Sequence, residues 1–150
     1  MAQYFAVKPY LRHHPGHQVV ARFEPAKESF TVGEELKVKM TIRNVGTNAV
    51  SFRRGEHRET FRQYSFLVSK DGKSVAGRTD LMGGGGFELY GHIPPGGEFV
   101  DEVDLKYWYD LRMGGNYSVR GFYYLLLLQG GQCVWTDVVS DGFEIEITKR

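Results

Sequence analysis

The stretch from Gly114 to Leu128, GGNYSVRGFYYLLLL, constrains the fold more than any other part of the chain. Side chains alternate across the pleat of a strand, so Tyr117, Val119, Tyr123, Leu125 and Leu127 are expected on one face. Ser118, Arg120, Phe122, Tyr124, Leu126 and Leu128 then fall on the other, and the last four of these are apolar or aromatic. A strand that needs shelter on both faces must find the second cover in its own chain or in a partner. The apolar residues Tyr4, Phe5, Val7, Tyr10 and Leu11 are an internal candidate for that cover.

The rest of the chain repeats the period of two. Leu36, Val38, Met40 and Ile42 alternate with Lys37, Lys39, Thr41 and Arg43, the pattern of a strand with one face in a core and one in water. Val19 to Phe23 reads as a strand ended by Pro25, and Ala49 to Phe52 as another. Tyr64 to Val68 is followed by Lys70-Asp71-Gly72-Lys73, a type I′ hairpin signal, because Asp-Gly tolerates the positive φ that both central positions require. Ser74 to Ala76 is its short return. Phe87 to Tyr90, Phe99 to Leu105, Val134 to Val139 and Phe143 to Ile147 complete the expected strands. Only Leu105 to Met113 departs from this period, with Leu105, Trp108 and Leu111 three apart and Asp104 placed as an N-cap for one or two helical turns.

Many short strands, 19 glycines in 150 residues and little helix predict an all-β fold, an immunoglobulin-like two-sheet antiparallel sandwich with one short helical corner. Residues 1–16 are expected as an N-terminal extension and 17–150 as one domain, since 41% hydrophobic content suffices for one real core. With 19 Lys and Arg against 18 Asp and Glu there is no global field, so neither nucleic acid nor a membrane surface is an expected partner. The single cysteine, Cys133, rules out an intrachain disulfide. Met1 to Leu11 holds no signal-type apolar core and no run approaches a bilayer span, so a soluble chain is expected, with secretion after removal of a signal left open.

No catalytic, cofactor or metal motif is complete. His13, His14 and His17 could crowd a metal, but Pro15-Gly16 makes the segment a turn, adjacent histidines diverge, and solvated turn residues are the preferred reading. Glu56-His57-Arg58-Glu59 lacks the second histidine of a zinc-protease helix, and with Arg53, Arg54 and Arg62 it reads as a solvated basic loop, with a site for an anion or acidic partner as the less favoured alternative. Gly83 to Gly86 lacks the Gly-Lys-Ser/Thr of a phosphate loop. Cys133 at a strand entrance reads as a small semi-buried residue. Asp101, Glu102 and Asp104 show no sign of an acid and base pair. Tyr107, Trp108, Tyr109, Tyr123, Tyr124 and Trp135 offer a stacking platform for sugars, against the commoner fate of aromatics as core.

Gly33 to Asn44, Val103-Asp104-Leu105, Tyr109-Asp110-Leu111 and Gly115-x-Tyr117-x-Val119 together resemble a small immunoglobulin-like sandwich. Over roughly Val19 to Tyr124 the chain looks like the non-catalytic β-domain of deuterolysin-type zinc endopeptidases, and more loosely like the bacterial intracellular proteinase inhibitor fold. The resemblance implies a module that contacts another protein or domain, with Tyr117 as an anchor of the sandwich. None of the family's metal-binding residues has a counterpart here.

The expected role is therefore non-catalytic: a protein-binding or self-associating module whose interface includes Phe122, Tyr124, Leu126 and Leu128. Two alternatives stand beside it. One is a proteinase inhibitor or pro-domain acting through the loop from Gly83 to Ile93, with Phe87, Tyr90 and His92 as contacts; the other is a carbohydrate-binding module.

Overall fold

The computed structural model describes residues 18–55, 63–78, 88–129 and 132–149. The strands among the described residues are β1 (Val19–Pro25), β2 (Ser29–Thr31), β3 (Lys37–Asn44), β4 (Val50–Gly55), β5 (Tyr64–Lys70), β6 (Lys73–Ser74), β7 (Glu88–Ile93), β8 (Glu98–Asp104), β9 (Gly115–Gln129) and β10 (Gln132–Thr148). They form two sheets. The smaller is ordered β1-β3-β8, and the larger runs β2-β10-β9-β4-β7, with β5 also on β9 and β6 on β5. The two sheets pack over one apolar core, which makes the fold an immunoglobulin-like two-sheet sandwich.

The pattern of alternation predicts the layers. In β3 Val38, Met40 and Ile42 are at most 2% exposed, while Lys39 and Arg43 face water. In β9 Tyr117, Val119, Tyr123, Leu125 and Leu127 are at most 3% exposed. Between the sheets the ring of Phe23 meets Tyr64 and Phe66 edge to face at 6.3 and 6.0 Å. Gly121 makes that approach feasible, because a Cβ there would lie 2.5 Å from the Phe23 ring.

Hydrogen bonds fix the corners. Asp71 and Gly72 have φ of 52° and 76°, as a type I′ turn requires, and Ser69 pairs with Ser74 beyond them. Buried Asn44 donates to the carbonyls of Asn48 (2.7 Å) and Ile93 (3.0 Å) and accepts from Gly46 N–H (3.0 Å), tying the β3–β4 turn to β7. The Tyr117 hydroxyl donates to the carbonyl of Met113 at 2.6 Å, a tyrosine corner that anchors the start of β9.

The expected short helical corner is present, and three details depart from the sequence reading. The helical corner is a single 3-10 turn, Leu105–Tyr107, with Asp104 accepting from Lys106 N–H as its N-cap; Trp108 and Leu111 are buried without further helix. The two expected terminal strands are one strand of 17 residues, because β9 pairs with β10 straight through Asp141-Gly142. The hairpin return is Lys73–Ser74 and so ends before Ala76. The sandwich is not purely antiparallel: Ser29–Thr31, too short to show a period, pairs in parallel with Glu146, Ile147 and Thr148. The extension at 1–16 lies outside the described residues.

Candidate functional site: the outer face of the larger sheet

Burial of Tyr117, Val119, Tyr123, Leu125 and Leu127 in the core turns Ser118, Arg120, Phe122, Tyr124, Leu126 and Leu128 outward, because the pleat has a period of two. The outward row divides in its middle. Ser118 and Arg120 are exposed, whereas Phe122, Tyr124 and Leu128 are half-buried and Leu126 is 3% exposed. Leu126 stands outside the core cluster, with Arg53 of β4 opposite it on one side and Thr136 of β10 on the other. The second face of this strand is thus closed at Leu126 and half covered at Phe122, Tyr124 and Leu128.

Neighbouring strands widen the face. Leu67 on β5 lies opposite Arg120 and is 62% exposed. Half-buried Val138 on β10 lies opposite Tyr124. On the far side Arg53 pairs with Tyr90 of β7, which is 61% exposed, and Ser51 pairs with His92, accepting or donating between Oγ and Nδ1 at 3.1 Å. The rung Tyr90–Arg53–Leu126 therefore joins two groups that the sequence separates, since β4 lies between β7 and β9. Phe87, the third residue of the loop set, lies outside the described residues.

The polar end of the face is a groove of about 520 Å³ lined by Leu67, Ser69, Ser118, Arg120 and Glu144 among others. Arg120 donates to Ser140 Oγ at 3.3 Å and leans over Gly142, and it has no carboxylate partner among the described residues. Ser118 Oγ donates to Glu144 at 3.4 Å.

The other candidates resolve into structure or fall outside it. The Tyr64 hydroxyl donates to Asp101 at 2.8 Å, and burial, with the Asp101 charge beside it, pushes the phenol far above its usual range. Asp104 accepts from Leu36 N–H at 3.1 Å and Lys106 N–H at 3.0 Å, which makes it a backbone brace. Three of the six aromatics expected as a sugar platform are core residues, whereas Tyr107 is exposed and Tyr124 half-buried. Trp108, Tyr109 and Tyr123 are 6%, 7% and 2% exposed and belong to the core, where Tyr109 also donates to the Phe66 carbonyl at 2.8 Å. His13, His14, His17, His57, Arg58, Arg62 and Gly83 to Gly86 lie outside the described residues. Among the described residues no group of three His, Cys, Asp or Glu could hold a metal, and no helix is long and apolar enough to cross a membrane.

Sequence reasoning overlooked Leu67 and Val138 as members of the face. Their outward positions follow from alternation within Tyr64 to Val68 and Val134 to Val139. Their place beside β9 depends on strand order, which alternation does not carry. It also missed Asp137, 1% exposed on the inward side of β10 opposite Leu125.

No protein-family model and no curated protein matches the sequence. Solved structures do match. The CARDB domain of the PF1109 protein from Pyrococcus furiosus, in complex with di-metal ions, aligns over 93% of this chain and 100% of its own with TM-score 0.46 and 10% identity. The structural-genomics target SoR45 aligns over 89% of this chain and 88% of its own, with TM-score 0.43 and 14% identity. The β-glucosidase of Listeria innocua, in complex with glucose, aligns over 87% of this chain with TM-score 0.44 and 14% identity, and the chain spans only 16% of that enzyme's length.

Proposed function

We propose that this protein is a non-catalytic binding or assembly module that uses the outer face of its larger sheet to hold another protein surface. One observation carries the reading: the outward row Phe122, Tyr124, Leu126 and Leu128 is apolar and only Leu126 is closed off, while Leu67, Val138 and Tyr90 extend the same face across neighbouring strands. A contiguous apolar patch on a monomer marks an interaction surface. Full burial of such side chains contributes about 1.5–3 kcal/mol each before the costs of association, so the open fraction of several is sufficient to drive it. The β8 carboxylates Asp101 and Asp104, which an acid and base mechanism would need free, are engaged in braces. The resemblance to the β-domain of deuterolysin-type endopeptidases agrees with a contact module of this kind.

The test is position-specific photo-crosslinking. A benzophenone side chain at position 122 is expected to give discrete adducts with protein, and the same group at position 100 on the smaller sheet is expected to give none. Equal yields from both positions, or no adduct from 122, would overturn the reading.

A second reading is favoured by Tyr90, 61% exposed on β7 at the margin of the larger sheet: proteinase inhibition through the segment ending in β7. Slowed cleavage of a peptide substrate by any enzyme of a protease panel, abolished by Tyr90→Ala, is the expected outcome, and a panel without inhibition removes this reading.

A further inference from the structure

We infer that the occupant of this face is a second copy of the chain, packed across a two-fold axis that runs parallel to β9 and β10 and between them. The inference rests on the reading of the face as an interface. Its ground is the register of the two strands. Arg120 lies opposite Gly142, Phe122 opposite Ser140, and Tyr124 opposite Val138. At these three rungs β9 presents the longer side chain and β10 the shorter, so β9 is a ridge and β10 a shelf beside it, closed at its end by Glu144, which is longer than Ser118 opposite. A two-fold between them sets the ridge of one copy on the shelf of the other, and each contact occurs twice, as an isologous interface requires.

Charge points to the same arrangement. Arg120 has only Ser140 Oγ as a side-chain partner among the described residues, and Glu144 has Ser118 Oγ. Glu144 lies two residues along β10 from Gly142, about 7 Å at the usual strand rise, which is within the reach of an arginine side chain. Over the shelf of the second copy, Arg120 of each protomer meets Glu144 of the other, and two otherwise unneutralised cations acquire carboxylates. Neighbouring strands lie about 4.8 Å apart; β10, β9 and β5 lie abreast at Arg120 to Tyr123 and β10, β9, β4 and β7 at Leu126 and Leu127, so the nine residues from Arg120 to Leu128 span on the order of 500 Å² before side-chain relief. That is below the roughly 800 Å² per partner of a standard interface and fits a dimer that forms and dissociates with concentration.

Charge reversal tests the axis. Sedimentation of the full chain from about 1 to about 500 µM is expected to show protomers converting to twice the protomer mass. Arg120→Glu and Glu144→Arg, each alone, are expected to weaken dimerisation at least about tenfold, because each creates two like-charge contacts. An equimolar mixture of the two variants is expected to dimerise like the wild type, since both contacts in the mixed dimer are then complementary. Recovery in the mixture also shows that both variants are folded. Wild-type chain that stays at protomer mass throughout overturns the second copy as occupant, and crosslinks from position 122 to a protein of another mass would then leave the face reading intact. A dimer lost with Phe122→Asp but indifferent to both reversals overturns the axis alone. A dimer indifferent to all three substitutions overturns the face as well.

Discussion

The two sheets share a core and differ on their outer faces. On the smaller sheet the row Glu24–Lys39–Glu102 alternates in charge across all three strands and Arg43 lies opposite Glu98, with Val20 and Val100 as isolated exposed apolar residues among them. On the larger sheet the equivalent positions of β9 read Ser118, Arg120, Phe122, Tyr124, Leu126 and Leu128. Both faces come from the same alternation and the same burial of the opposite side. The difference lies in what each face requires of its surroundings: a ladder of exposed ion pairs is satisfied by water, whereas a row of apolar groups is not. On the proposed reading the larger sheet is the one that a further surface would complete.

The largest expected effect separates the two faces directly. Phe122→Asp combined with Leu128→Asp should weaken association by roughly 30-fold or more, the scale of one or more central hot-spot residues. Because both side chains point away from the core, the melting temperature should change little. Val100→Asp, at a position 55% exposed on the smaller sheet, should alter neither quantity. Equal losses from both sheets would erase the distinction.

The next effect asks what joins sheets of such different character. The Tyr64 hydroxyl donates from the larger sheet to Asp101 on the smaller. A hydrogen bond to a charged group contributes about 1.5–3 kcal/mol, so Tyr64→Phe should lower urea-measured stability by that amount. The pH dependence follows from the raised phenol. Folding holds Tyr64 protonated far above its usual range, so this contribution is complete below about pH 10, where the unfolded phenol begins to ionise. Above that pH the unfolded state releases a proton that the folded state keeps, and stability falls by about 1.4 kcal/mol per pH unit for this group. Tyr109 and Tyr117, also raised by burial, add to the fall. Tyr64→Phe should make the alkaline loss visibly shallower, and an unchanged slope would remove Tyr64 as its source. A smaller effect belongs to the larger sheet alone: Tyr117→Phe deletes the bond to the Met113 carbonyl and should cost about 1 kcal/mol.

Local periodicity made much of this molecule legible. The inward rows of β3 and β9, the Asp71-Gly72 turn and the Asp104 cap all depend on neighbours within a few residues, and all were readable from the chain. Failures occurred where a distant partner decides. Ser29–Thr31 becomes a strand only because the end of β10 accepts it in parallel. Asp141-Gly142 looks like a turn, yet pairing with Gly121 and Arg120 carries β10 through it. The face proposed as a contact shows the same division. Phe122 to Leu128 announced itself by composition, but the union with Tyr90 and His92 depends on β4 lying between β7 and β9, a fact of strand order. The aromatic residues read as a sugar platform are apolar enough for either role, and only packing shows that Trp108, Tyr109 and Tyr123 went to the core.

The smallest expected effect probes the charged face of the smaller sheet. Arg22 and Lys39 reach Glu24 at 2.6 and 3.7 Å, with side chains 72% and 52% exposed against 37% for the glutamate. Exposed pairs of this kind contribute between nothing and about 1 kcal/mol, because water solvates the separated ions nearly as well and holding long side chains in place costs entropy. Glu24→Gln should therefore change stability by less than about 0.5 kcal/mol at moderate salt, and whatever change appears should shrink further as ionic strength rises. The substitution should leave the solution mass untouched, since it alters a surface that water already completes. A mass shift from Glu24→Gln as large as that from Phe122→Asp would mean that the charged ladder is itself a contact, and the contrast between the two faces would have to be redrawn with the smaller sheet inside the interface.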